Sequence, residues 1–371
     1  MRLYFNSKKL WNLIIIILLI LSTWSISAFI SPHKKKQPIA GETLIVEKFI
    51  QRNLQNNVGL IRTNITSRKD VYLSETVGLW LEYLVAKNDL TQFQKQIEVL
   101  KNYFLTDDYL VIWELQGSKK ATANAFIDDL RIIDALFTAG KQWNASEYTS
   151  LAQKMSKQLI SYQTVNNLMV DFIDLKEKTK GQDLTLSYII PTGFEQMKHA
   201  GLLPENIYQE TKNLLFNAPI SELGFFPKKF SIVQEDYIFD QKVNLIDQLY
   251  TGYHLAKWGG NVSELLTFIK TAYSHSKGKL YGQYDGITGK PIVQYESPAV
   301  YALAILMCYE VGEDDFANKL YKRMKKLQYK RTNSPYNGGY IDVHTKETHT
   351  FDNLLALLAE RRVLDEKDFR Q

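Results

Sequence analysis

The sequence predicts an all-α fold, an (α/α)6 barrel with short β-hairpins in its connecting loops, preceded by an N-terminal transmembrane helix. Three observations carry this expectation. Apolar residues recur at helical spacing from residue 43 almost to the C-terminus. Some of those stretches are apolar on nearly every side while others keep a polar face, which places an inner ring of helices inside an outer one. Residues 13–30 contain no charge. A helical solenoid would leave a repeat of roughly 34 residues, and no such self-similarity is visible.

Composition narrows the function classes. Of 371 residues, 45% are hydrophobic and 23% charged, which excludes a disordered, collagenous or coiled-coil chain. Cys308 is the single cysteine, so neither a disulfide framework nor a multi-cysteine metal site is expected. None of the six histidines has convincing ligand spacing, and no metal or cofactor is expected. The net charge of +5 belongs to the N-terminus. Residues 1–36 hold six of the 45 bases and no acid, leaving 39 bases against 40 acids. A body so balanced lacks the basic footprint of a nucleic-acid binder.

Within residues 1–30, Ile14 to Leu21 is continuously aliphatic. Extended back to Leu10, the segment makes a helix about 30 Å long, enough to cross a bilayer core. Arg2, Lys8 and Lys9 before it favour a cytoplasmic N-terminus, while Lys34, Lys35 and Lys36 behind it weaken that orientation. Two readings stay open: an uncleaved signal-anchor, and a signal peptide cut near Ser25-Ile26-Ser27-Ala28. Both export the body. Residues 31–42 read as a linker and 43–371 as one domain. Helices are expected near 43–56, 74–88, 90–104, 123–139, 145–163, 184–200, 204–217, 241–258, 262–275, 296–311, 313–327 and 348–361. Strand-like pieces fall at Tyr109–Trp113, Phe225–Phe230, Lys279–Tyr284 and Gly339–Val343, with turn signals such as Asp285-Gly286 and Asn337-Gly338.

Acids that interrupt enclosed helices are informative, because a lone buried carboxylate is costly. Glu75 and Glu82 share a stripe with Val71, Tyr72, Gly78 and Leu79. Asp129 lies at the centre of an apolar face made by Ala125, Phe126, Ile132, Ile133 and Leu136. That break in pattern marks either a functional acid or a structural one bonded to an arginine or a helix start. Asp240, just before the 241–258 helix, either acts or caps it. Asp247 shares a mixed stripe with Asn244, Tyr250, Thr251 and His254, which lines a cleft or faces water.

Three segments, in this order, resemble glycoside hydrolase family 8. Ser74-Glu75 opening an enclosed helix resembles that family's Ser-Glu-Gly. Ala121-Thr122, followed by Asp129-Leu130-Arg131-Ile132-Ile133-Asp134-Ala135-Leu136, resembles its Ala-Thr and Asp-Leu-x-Ile-Ala-x-Ala-Leu. Phe239-Asp240-Gln241 resembles its Tyr-Asp-Ala. Thr76 stands where the first motif has Gly, and Lys242-Val243-Asn244 where Arg-Val-Pro normally follows. The resemblance implies an (α/α)6 barrel that hydrolyses a β-linked polysaccharide with inversion. It implies Glu75 as general acid, Asp240 as general base, and Asp129 at the subsite that binds and distorts the sugar beside the scissile bond. The chain is similar to exported members that trim a bacterium's own exopolysaccharide. Such chemistry needs Glu75 protonated by burial, against the preference of a helix start for the anion, and an ionised base roughly 6.5–9.5 Å away.

Polysaccharide sites also use aromatic platforms. Trp113, Tyr72 and Tyr284 are candidates for substrate binding, together with Asp247; Tyr295 and Tyr340 border predicted loops. Core packing competes as the role of each, and of Trp80, Trp143 and Trp258. The partners expected are a polysaccharide and, through the N-terminal helix, a membrane, and not nucleic acid. A non-catalytic glycan-binding protein on the same scaffold and a helical scaffold for protein partners are the alternatives. Convergence of Glu75, Asp129 and Asp240 on one cleft separates them.

Overall fold

The computed structural model describes residues 40–368, so the expected transmembrane segment and most of the 31–42 linker lie outside the described residues. Among the described residues, no helix is long and apolar enough to cross a membrane. They form twelve α-helices: α1 (Ile45–Asn53), α2 (Ser74–Ala86), α3 (Leu90–Val99), α4 (Phe126–Gln142), α5 (Ser146–Gln163), α6 (Pro191–His199), α7 (Glu205–Phe216), α8 (Leu245–Lys257), α9 (Ser263–His275), α10 (Pro298–Glu310), α11 (Asp314–Leu327) and α12 (Thr350–Asp368).

The even-numbered helices make the inner ring. α2 packs on α4, α4 on α6, α6 on α8, α8 on α10, α10 on α12, and α12 closes on α2. Burial follows this division. In α10 every residue from Ala299 to Cys308 is buried, whereas its outer neighbour α11 buries only Phe316, Ala317, Leu320 and Met324. That is the difference between a helix enclosed by others and one with a wet face. Close approach needs small residues. A Cβ on Gly252 of α8 would lie 2.7 Å from Leu265 of α9 and 2.8 Å from the sulfur of Met307 on α10.

Short antiparallel strands lead the chain into the inner helices. β1 (Val71–Leu73) pairs with β2 (Glu114–Gln116), which pairs with β3 (Lys119–Lys120), and β1 runs directly into α2. β4 (Thr164–Val165) and β5 (Leu168–Met169) form a hairpin after α5. β6 (Asp183–Thr185), β7 (Lys229–Ser231) and β8 (Asp236–Ile238) form a second sheet, and β6 leads through a 3-10 turn at Leu186–Tyr188 towards α6. β9 (Lys242–Asn244) pairs with β10 (Gln283–Asp285) and runs directly into α8.

Every helix expected from periodicity is present, and the differences lie at the ends. The 90–104 helix stops being α-helical at Val99 and continues as a π-helical turn. The start expected at 184 breaks into β6, the 3-10 turn, and an α6 opened by Pro191, which supplies a preset φ where no backbone donor is needed. The strand expected at Tyr109–Trp113 forms at Glu114–Gln116 instead. Tyr109 adopts a positive φ, and the Val111 amide is taken by a side chain. Gly339–Val343 is not a strand. Its backbone is satisfied laterally, with Asn353 accepting from the Tyr340 amide and Thr348 donating to the Tyr340 carbonyl.

Candidate active site

The N-termini of the inner helices gather the acids at one end of the barrel. Glu75 occupies the first turn of α2, Asp128 that of α4, Asp247 that of α8 and Asp352 that of α12. Ser74 is fixed by the Trp113 carbonyl, which accepts from its amide at 3.0 Å. Its hydroxyl then donates to Asp128 at 2.6 Å, and the Glu75 amide also bonds to the Asp128 carboxyl. Asp128 therefore caps α2 from a different helix. Arg131, one turn along α4, lies 3.5 Å from Asp128 and 3.9 Å from Glu82. It passes α2 at Gly78, where a Cβ would come within 3.1 Å of the arginine side chain.

Glu75 is half-buried, and its pKa is pushed up from 4.5 to about 7. Desolvation is the main cause, reinforced by the negative charges of Asp128 and Asp352 and opposed by Arg131. The helix start favours the anion, and burial with two like charges overrides it. Trp80 is buried in the core, stacked on Tyr83 at 5.4 Å, and the neighbouring acids are what sequence reading missed. Asp352 precedes most of the last helix, a place where capping is the ordinary role of an acid. It does cap, but on the adjacent helix, accepting from the Ala299 amide at 3.0 Å and the Ser297 hydroxyl at 2.5 Å.

Across the mouth, Lys228 stands between two carboxylates, 3.3 Å from Asp240 and 3.9 Å from Asp247. Burial raises the pKa of Asp247, Lys228 counters this, and the charge of Asp240 adds to it. Asp240 does not cap α8; Asn244 does, accepting from the Ile246 amide at 3.0 Å. Tyr188 joins the two sides. Burial raises its phenol pKa, and Asp171, Asp128, Asp247 and Glu75 all contribute in the same direction.

Asp129 sits elsewhere. It is 0% exposed, and its oxygens accept from the Val111 amide and from Asn124 Nδ2, each at 3.0 Å. Asn124 also donates to Gln163 and accepts from the Ile173 amide. Asp129, expected beside the sugar, is bonded through both oxygens into a network between α4, α5 and two loops, and its neighbour Asp128 stands next to Glu75. Tyr284 is also a core residue rather than a platform, 1% exposed, with its hydroxyl accepting from the Tyr281 amide. Tyr340 is likewise buried, bonded to Glu360. Trp113 keeps 39% of its surface exposed directly beside the Ser74 contact. Tyr72, on β1, is partly buried and packs against the core, with its hydroxyl 3.5 Å from Asn56. Among the described residues, no group of three or more potential ligands could hold a metal ion.

A ring of six inner helices inside six outer ones is the fold of solved family 8 glycoside hydrolases. An endoglucanase of Klebsiella pneumoniae described as a family 8 glycosyl hydrolase superimposes with a TM-score of 0.61 over 85% of this chain and 98% of that one, at 16% identity. More similar are a protein described as a novel alpha-amylase from Clostridium perfringens and PssZ from Listeria monocytogenes. The first has a TM-score of 0.80 and 28% identity, covering 86% of this chain and 96% of that one. The second has a TM-score of 0.71 and 26% identity, covering 88% and 98%. No family model matches the sequence. The chain belongs to the family of YdaJ from Bacillus subtilis (strain 168), named as a lipoprotein, to which it is 40% identical over 321 residues, 86% of this chain and 87% of that one.

Proposed function

We propose that this chain is an inverting glycoside hydrolase acting on a β-linked polysaccharide outside the cytoplasm. The observation that carries the reading is Glu75 at the start of α2, beside Asp128 and half-buried, with its pKa raised to about 7 by burial and by Asp128 and Asp352. Glu75 donates its proton to the glycosidic oxygen as the bond to the anomeric carbon breaks. A water enters from the opposite face, and Asp240 accepts its proton, leaving the product with inverted configuration. Asp240, rather than Asp247, suits the base, since burial pushes Asp247 toward its neutral form. Lys228 holds both carboxylates in place. Trp113 offers the exposed aromatic surface for a sugar face. Incubation with the producing organism's own surface polysaccharide is the test. The wild type should release oligosaccharides of inverted anomeric configuration, and Glu75→Gln should release none while remaining folded. Full activity in Glu75→Gln would overturn the reading.

A second reading has its own support, because the alpha-amylase from Clostridium perfringens is the structure with the TM-score of 0.80. An α-linked glucan would use the same acid and base from the same positions. Soluble starch offered beside β-linked polymers decides between them.

Residues 1–30 serve as the membrane attachment in this proposal; the Bacillus subtilis relative is named as a lipoprotein, and since the single cysteine here is Cys308, the attachment rests on the apolar segment and not on a lipid. Cell fractionation with and without these residues tests it: the full chain should sediment with membranes, and a chain still soluble at full length would refute attachment.

A further inference from the structure

A second cavity, of about 320 Å³, lies inside the ring on the side of the inner helices' later turns. Its walls come from the same helices that build the catalytic mouth, but from residues further along: Glu82 on α2, Asp134 and Thr138 on α4, Tyr253 and Lys257 on α8, Leu306 on α10. None of Glu75, Asp128, Tyr188, Lys228, Asp240 or Asp247 lines it. Arg131 is the partition, ion-paired to Asp128 on one side and Glu82 on the other, with its guanidinium donating to the Tyr250 hydroxyl at 3.4 Å. The cavity reaches Gln142, an exposed residue at the end of α4 and about 21 Å along that helix from Asp128. It opens, therefore, at the opposite end of the barrel.

Its polar groups are under-used. Glu82 keeps 42% of its side chain exposed, and its ion pair to Arg131 is long, at 3.9 Å. The Lys257 ammonium lies 4.9 Å over the Tyr253 ring and bonds to the Tyr253 hydroxyl, leaving further donors; burial opposes its charge, and Tyr253, Glu82 and Asp134 outweigh that. His254, 3% exposed, has an Nδ1 with no hydrogen-bond partner. Burial and the cations Lys257 and Arg131 keep that imidazole neutral. Asp134, by contrast, is already satisfied by Thr192 at 2.5 Å and Gln196 at 2.6 Å. The His254 ring is bonded to the Ser187 backbone, so Nδ1 is the one nitrogen left without a partner, a cost unless something fills it.

We propose that this cavity is a second ligand site that takes an uncharged, polyhydroxylated ring of monosaccharide size. The charged lining balances, Glu82 and Asp134 against Arg131 and Lys257, so a net ion would leave one sign opposed. Adjacent hydroxyls suit the pair: one donates to Glu82 while its neighbour accepts from Lys257. His254 Nδ1 takes a third hydroxyl, and Tyr253 with Leu306 and Leu358 receives the ring's apolar face. The volume accommodates such a ring at the lower end of small-ligand pockets. The inference does not depend on the hydrolase reading, since binding there requires no chemistry at the mouth.

The test is calorimetric and saturation-transfer NMR titration of the full chain, in detergent, with D-glucose and separately with glycine as a zwitterionic probe. Glucose should bind, and binding should survive Glu75→Gln. It should weaken about tenfold or more in Glu82→Gln and in Lys257→Met, and disappear in Leu306→Phe, which fills the cavity. Circular dichroism checks that each variant folds, and Glu82→Gln, at a partly exposed position, serves if Leu306→Phe does not. No glucose binding by the wild type, binding lost in Glu75→Gln but kept in Glu82→Gln, or binding of glycine in place of glucose would each overturn the proposal.

Discussion

Ser74 Oγ donates to Asp128 across 2.6 Å, tying the residue before Glu75 to the start of the next inner helix. Asp128 is thereby fixed as the like charge that helps hold the Glu75 proton. Asp128→Asn removes that charge and leaves Arg131, which favours the Glu75 anion, without its nearer partner. The pKa of Glu75 should fall, and with it the alkaline limb of the pH–rate profile, by roughly one unit. Polysaccharide hydrolysis measured from pH 5 to 9 checks this; an unmoved limb would exclude Asp128 from setting the acid.

Glu75 also makes stability depend on pH. Its folded value of about 7 lies above the ordinary 4.5, so between those values the folded chain keeps a proton that the unfolded chain has released. Stability from this group is fully present below 4.5, declines as pH rises through the window, and is level above about 7. Glu75→Gln is insensitive to it. The variant should match the wild type at pH 4 and exceed it at pH 8 by on the order of 1–3 kcal/mol. Urea unfolding at the two pH values is the measurement, and an equal difference at both would contradict it.

The barrel was legible in the sequence because it is written as periodicity over hundreds of residues. A helix such as α10, buried from Ala299 to Cys308, can only be internal. Glu75 was legible for the same reason, as an acid on an enclosed helix. Asp129 shows the limit. Periodicity correctly placed it on the buried face, but it could not say that the Val111 amide and Asn124 would occupy both oxygens. Asp128 escaped notice because its importance rests on Ser74, 54 positions earlier. Lys228 escaped because its partners meet it through sheet pairing of β6, β7 and β8, which no local pattern encodes.

Lys228 lies within 4 Å of both Asp240 and Asp247. Lys228→Met leaves the two carboxylates facing each other uncompensated. Asp247, which Lys228 now holds down, should titrate at higher pH. Without the lysine that positions Asp240, kcat should fall about tenfold or more with little change in KM, since the proposed base is displaced rather than a substrate contact removed. A pure KM effect would make Lys228 a substrate contact instead.

Asp129→Ala separates a latch from a sugar-binding residue. The substitution leaves the Val111 amide and one Asn124 donor unsatisfied inside a closed network that reaches Gln163 and the Val170 carbonyl. Two orphaned buried donors cost about 2–5 kcal/mol together. Asn124 cannot turn to compensate, because its carbonyl already accepts from the Ile173 amide. Asn124→Ala should therefore destabilise by a similar amount, and the double variant by much less than the sum, as expected of partners in one network. Urea unfolding of the three variants gives that coupling. A residue at the scissile bond behaves in the opposite way: kcat collapses while the unfolding midpoint stays put, and that outcome for Asp129→Ala would return Asp129 to the substrate.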